Sequence, residues 1–429
     1  MVITAQHTKL KPGYKQTEVG VIPEDWKIEK LGDCLLGMPQ YGINAPAVQY
    51  TDSLPTYIRI TDITDDSCFS PENIASVRHV GADKYVLKDG DLVFARTGAS
   101  VGKTYLYKPE DGNLVFAGYL IRVKVNPSKL LPSYLAAYVK TENYWNWVRA
   151  MSMRSGQPGI NSTEYAQLPI PLPSLPEQQA IATALSDVDA LITSLDRLIA
   201  KKRNIKQATM QQLLTGKKRL PGFSDEWSTK YLRDISFMKG RIGWQGLKQS
   251  EFTMNADEPY LITGMNFKNG KIRWDEVYHV SNERYDIAKD IQLESNDILM
   301  TKDGTMGKLL FVDIIPFPGK ATLNSHLLVF RPIRDSYDPK FLYYQLASKA
   351  FKDYIELSKS GSTFFGVSQE SVGNYPVFLP PTKSEQTLIA TILSDMDAEI
   401  VALEEKRDKM RALKQGMMQE LLTGKTRVI

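Results

Sequence analysis

The chain has 429 residues, enough for two or three domains with real cores, and its 42% hydrophobic, 24% charged composition is that of an ordinary globular protein. A formal net charge of +4 permits a nucleic-acid partner without demanding one; DNA held by this chain alone would bind weakly at physiological salt, which points to partner subunits. Two cysteines, Cys34 and Cys68, exclude a disulfide framework, no apolar run approaches the ~20 residues of a membrane span, and no export signal is visible, so a cytoplasmic location is expected.

Residues 1–20 are polar and aperiodic and read as a draped N-terminal arm. From Pro23 to about Leu172 short β-rich runs alternate with turns; YIRITDI (57–63), GDLVFAR (90–96) and YLIRVKV (119–125) carry the alternation and β-branching of strands. Pro132 opens an apolar-periodic helix, PSYLAAYVKTENYWNWV. LPIPLPSLP (168–176) is too proline-rich for a helix or a central strand and reads as an extended linker. Beyond it Ile181, Leu185, Val188, Ile192 and Leu195 step by four and three, the seam of a coiled-coil helix that runs to a stop at Gly216.

After Gly216 the order begins again. IPEDWKIEKLGD (22–33) is answered by FSDEWSTKYLRD (223–234), GDLVFARTGASVGK by NDILMTKDGTMGK, and SGQPGIN by SGSTFFGV. The stretch 177–219 returns ungapped as 385–427, with about 24 of roughly 43 positions identical, the level of self-similarity that marks an internal repeat. Its second seam is Ile389, Leu393, Met396, Ile400 and Leu403. The expected fold is therefore α/β: two globules, each followed by a long helix, with the helices pairing as an antiparallel coiled coil under a pseudo-two-fold repeat. The boundaries fall at 1–172, 173–217, 218–380 and 381–429. At ~1.5 Å per residue a ~38-residue helix spans about 57 Å, or roughly 17 base pairs, room for two domains to address separate half-sites. The globules have diverged further than the helices, as a common scaffold with two different reading surfaces would.

The motifs favour contact over catalysis. GASVGKT (98–104) leaves three residues between its glycines where a phosphate-binding loop needs four, and Pro109 follows too soon for a helix. It reads as a tight turn presenting Arg96, Thr97 and Lys103 at a sheet rim, with Lys302, Asp303 and Lys308 in the second copy; a purely structural turn explains the pattern equally well. The loops YGINAPAVQY and GRIGWQGLKQS offer Tyr41, Asn44, Arg241, Trp244 and Gln245, side chains able to read base edges, and Arg154 and Gln157 flank a glycine. Four histidines show no metal-ligand spacing, no nucleophile elbow occurs, and a DNA-adenine methyltransferase tetrapeptide is missing, so no catalytic residue and no metal site is expected.

The doubled plan, Pro176–Gln178 with its echo SEQ at 384–386, the DVDALI and DMDAEI cores and KQxxMQxLLTGK in both copies together resemble the specificity subunits of type I restriction–modification systems. That resemblance covers essentially the whole chain. It implies a non-catalytic subunit that reads a bipartite, asymmetric site in double-stranded DNA, the helices setting the spacer and docking two methylation subunits. Two restriction/translocase subunits join them. It implies no cofactor on this chain, S-adenosylmethionine, ATP and Mg belonging to the partners. The DNA contacts expected on this reading are Tyr41, Asn44, Arg96, Thr97, Lys103, Arg154 and Gln157 in the first domain and Arg241, Trp244, Gln245, Lys302 and Lys308 in the second, the amides and Arg241 as base readers and the lysines mainly on phosphates. An assembly scaffold that does not read DNA is the alternative. The second helix begins with Thr-Lys where the first has Leu-Pro, so its docking is expected to differ.

Overall fold

The computed structural model describes residues 11–153, 156–241, 246–268, 271–359 and 366–428. It divides into two compact units, residues 1–196 with 405–429, and residues 197–404. Both cuts fall inside long helices, Leu175–Leu213 and Lys383–Leu421. Each unit thus owns one globule, the start of the helix that follows it, and the end of the other helix.

In the first unit a four-stranded antiparallel sheet runs in the order Gln40–Tyr41, Leu120–Lys124, Asp91–Ala95, Thr104–Leu106. The strands form because Leu92, Val93, Phe94, Ile121 and Val123 are buried on both faces, so near-continuous apolar runs replace alternation. A second sheet, Leu114–Phe116, Thr56–Ile58, Ala75–Val77 and Ala47–Gln49, includes one parallel pair. The expected strand 57–63 stops at Ile58; Asp62 accepts the Arg59 N–H at 2.9 Å and turns Ile60–Asp62 into a 3-10 helix. The expected single helix after Pro132 is two, Pro132–Tyr138 and Glu142–Ser152, because the Thr141 hydroxyl accepts from Tyr144 N and starts a new helix. The proline-rich linker pairs as Pro169–Leu172 with Lys27–Lys30, a two-stranded ribbon where the missing N–H groups cost little.

The second unit repeats this frame. Its antiparallel sheet runs Ser236–Lys239, Leu327–Pro332, Ile298–Thr301, Leu309–Phe311, and Ser228–Tyr231 pairs with Pro376–Leu379. Helices Pro339–Ala347 and Lys349–Leu357 match the pair in the first unit, with the Ser348 hydroxyl capping where Thr141 did.

Within each unit the two helical segments pack antiparallel. In the first, Lys414 meets Asp189 at 2.6 Å while Arg407 and Arg411 reach Asp196 at 3.4 and 3.3 Å. In the second, Lys202 meets Glu399 at 2.6 Å, Lys206 meets Asp397, and Arg203 meets Glu404. Such exposed pairs set register more than they stabilise. The apolar seam does the latter: Ile181, Leu185, Leu195, Ile389, Leu393 and Ile400 are buried, and Val188, Ile192, Met396 and Leu403 half-buried. Each globule's core also takes in the ends of the helices, Leu421 and Leu422 in the first unit and Leu213 and Leu214 in the second.

Candidate nucleic-acid interface

The end of the Asp91–Ala95 strand is where the first unit gathers polar side chains. Gly98 sits at φ 71°, a left-handed turn that an L side chain resists, and the chain reverses through Gly98–Ser100 into Thr104–Leu106, a strand rather than a phosphate-facing helix. Ile160 N donates to Arg96 O at 2.9 Å and Gly98 N to Pro158 O at 3.0 Å, so the Gln157–Ile160 loop is stitched alongside. Arg96 N donates to Tyr119 O at 3.0 Å. The Arg96 guanidinium lies 4.8 Å over the Tyr41 ring, whose hydroxyl accepts from Ser162 N at 3.1 Å. Burial pushes the Tyr41 hydroxyl pKa up, but the Ser162 N–H and the Arg96 cation outweigh it and hold the group below its ordinary value. Tyr41, Arg96, Thr97 and Gln157 therefore share one rim, with Tyr119 beside them and 62% exposed.

The second unit builds the same rim from different residues. Lys302 N donates to His326 O at 2.9 Å and Val367 N to Lys302 O at 2.9 Å, reproducing the Arg96 bonds, and Gly304 takes φ 68° like Gly98. Asp303 stands at the Thr97 position, bridging to Gly366 as Thr97 bridges to Gly159. Its Oδ2 lies 3.1 Å from His326 Nδ1 and 3.9 Å from Lys302 Nζ. Tyr119 and His326 escaped the sequence reading; the signal available was their place directly ahead of matched strands, LIRVK and LLVFRP.

The other expected contacts fall elsewhere. Arg241 is a correction: it is 4% exposed, with Nε donating to Leu323 O at 2.9 Å and Nη2 to Thr322 Oγ1 at 3.0 Å, so it braces a buried strand instead of facing a ligand. An added Cβ at Gly240 would lie 2.8 Å from Leu327 O, and one at Gly42 in the first unit would lie 2.1 Å from Ala117 O. Asn44 is exposed next to this close approach. Lys103 turns to Asp65 at 2.6 Å. Lys308 borders an open cavity of about 480 Å³ lined by Phe267, Tyr343, Lys352 and Ile355, where the first unit has Trp145 against Gly102. Arg154, Trp244 and Gln245 lie outside the described residues. No cluster of metal-ligating side chains occurs among the described residues.

Away from the rims, each unit is closed by a clasp. Glu177, 1% exposed, accepts from Trp26 Nε1 at 3.1 Å and from Arg427, which also grips Asp25 through two bonds of 3.0 and 2.9 Å. In the second unit Arg219 holds Glu385 through bonds of 2.8 and 2.9 Å. The glutamine that follows each glutamate pins the chain ahead of a helix: Leu131 N donates to Gln178 Oε1 at 2.9 Å, and Asp338 N to Gln386 Oε1 at 2.7 Å. Lys383 and Ser384, which stand where the first helix has Leu175 and Pro176, thus leave the glutamine contact intact. The difference lies at the tryptophan: Trp227 Nε1 has no hydrogen-bond partner among the described residues, and its ring tilts onto Phe378 at 5.1 Å.

The type I restriction modification DNA specificity domain matches residues 23–206 and again 224–410. The chain belongs to that family. It is 24% identical over 446 residues to the specificity subunit of the type I restriction enzyme MjaVIII of Methanocaldococcus jannaschii, covering 100% of this chain and 99% of that one. It is 22% identical over 412 residues to the EcoKI specificity subunit of Escherichia coli K12, covering 87% and 82%. Among solved structures, the type I restriction–modification S subunit from M. genitalium shares the fold with a TM-score of 0.60 at 15% identity, over 96% of this chain and 97% of that one. As a family member the chain is a specificity subunit that directs recognition of DNA sequence, and its internal repeat is the family domain occurring twice.

Proposed function

We propose that each rim reads one half of a split, asymmetric site in double-stranded DNA, and that this chain supplies recognition while partner subunits supply chemistry. The observation that carries the reading is the pair of rims: one backbone pattern, with two matched hydrogen bonds and a matched bridge, presenting Arg96, Thr97 and Tyr119 in one unit and Lys302, Asp303 and His326 in the other. A scaffold that only assembled proteins has no need for matched frames with unlike polar edges. Base-edge contacts would come from Tyr41, Asn44, Arg96, Thr97 and Gln157 in the first unit and Asp303 in the second, with Lys103, Lys302 and Lys308 toward phosphates. The partners are two methylation subunits, carrying S-adenosylmethionine, and two restriction/translocase subunits using ATP and Mg; the assembly is cytoplasmic. Exposed Leu198 and Ile205, seven residues apart on the first long helix, offer apolar surface for such a partner.

The test is competition binding of the full chain purified with its methylation subunit, using duplexes from the host genome against random-sequence DNA at two salt concentrations. The reading expects a subset of duplexes to be held at least a hundredfold tighter than random DNA, a ratio that persists as salt lowers both affinities. Equal affinity for every duplex would sink it.

A further inference from the structure

The rims differ in more than sequence: one offers donors where the other offers an acceptor. Arg96 has five N–H donors and no acceptor. Its fork is half-exposed, stacked on a tyrosine that is itself tied to Ser162 N, and no carboxylate pairs with it among the described residues. That leaves a planar donor pair fixed in direction but unspent. Guanine, with O6 and N7 side by side in the major groove, is the base edge such a fork matches.

Asp303 is the reverse case. Ionised, it can only accept, and a carboxylate turned toward DNA is repelled by phosphates unless donors satisfy it. Two features hold it in place. His326 Nδ1 engages Oδ2 at 3.1 Å, and Oδ1 lies over Gly366, where any Cβ would come within 2.7 Å. Lys302 at 3.9 Å offsets part of the charge. The carboxylate stands where the first rim places neutral Thr97, so it is not a requirement of the shared frame. Among base edges the major-groove donors are the exocyclic amines of adenine N6 and cytosine N4.

We propose that the half-site of the first unit contains a guanine read by Arg96, and that the half-site of the second contains an amine-bearing base, adenine or cytosine, read by Asp303 with His326 as its positioning residue. This rests on the DNA-reading function proposed above. It goes further in assigning a class of base to each half and a residue to each class.

The experiment is selection of bound sequences from a randomised duplex library by the full chain purified with its methylation subunit, for the natural protein and three variants. Asp303→Asn keeps the size of the side chain and an oxygen for His326 but turns one acceptor into a donor. It should move one position of one half from adenine or cytosine to the keto bases guanine or thymine, a change of at least tenfold in preference, with the other half untouched. Arg96→Gln should move one position of the other half from guanine toward adenine. His326→Ala should blunt discrimination several-fold at the Asp303 position without changing the favoured base. An unchanged motif, or an equal loss for all sequences with Asp303→Asn, overturns the assignment while leaving the DNA-reading function in place. If that variant loses its cooperative unfolding, His326→Ala decides alone, and undiminished discrimination overturns the assignment. A natural protein that selects no split motif overturns both.

Discussion

At the first rim the strand end carries Arg96 and Thr97; at the second, the same backbone bonds carry Lys302 and Asp303. At the clasps the opposite holds, for Arg427 on Glu177 and Arg219 on Glu385 keep both the geometry and the side chains. The contrast separates what the frame needs from what the ligand needs. A buried glutamate tolerates only a cation of the right reach, so the clasp admits little variation. A rim held by backbone hydrogen bonds leaves its side chains free to vary, which is how one scaffold comes to present two unlike polar edges.

The largest effect should come from breaking a clasp. Arg427→Ala leaves Glu177 buried and unpaired, at a cost of about 2–3 kcal/mol, the low end for buried pairs because the arginine is one-third exposed. Hydrogen exchange should show the loss confined to residues 11–196 and 405–428, while Arg219→Ala should weaken the other unit; equal loss in both units from either variant would break the comparison. Next in size, Arg96→Ala should lower affinity for the preferred site by roughly 1–3 kcal/mol and leave random-sequence binding nearly unchanged. Titration with matched duplexes checks this, and parallel loss on both would recast Arg96 as a phosphate contact. Smaller again, Lys103→Ala should weaken binding to all sequences alike, by under about 1 kcal/mol, and reduce the salt slope by about one. Its partner Asp65 is almost fully exposed, so the fold should not notice.

The smallest difference concerns acid. The Arg427 hydrogen bonds hold the Asp25 carboxyl below its ordinary value of 3.8. A depressed folded pKa adds stability that is present above pH 3.8 and lost as pH falls through the folded value. The matching guanidinium nitrogen of Arg219 donates instead to Asp225 O, a carbonyl that does not titrate. Acid unfolding followed by local exchange should therefore show an extra pH-dependent contribution in the first unit, abolished by Asp25→Asn; the same contribution surviving that change would assign it elsewhere.

Much of this organisation is legible in sequence because repetition exposes it. The two helices, their seams and the matched turns RTGASVGK and KDGTMGK lie where the alignment of the halves puts them. The misses have physical causes. Arg241 reads as a surface group by type, yet it is buried, its guanidinium bonded to Leu323 O and Thr322 Oγ1. The break at Thr141 hides inside an unbroken apolar period, since a capping hydroxyl is a single local signal. The clasps were out of reach for a different reason. Each arginine bonds the glutamate of the other copy, a long-range exchange that no local pattern announces.

The most direct measurement is single-molecule mapping of adenine methylation in cells making this chain with its neighbouring methylation subunit, against cells lacking the chain. The account predicts a split motif with methylated adenines in both halves, absent from the control, and altered in one half alone when residues 1–172 are exchanged for those of a relative. An assembled complex that leaves no motif, or an exchange that alters both halves together, would contradict it.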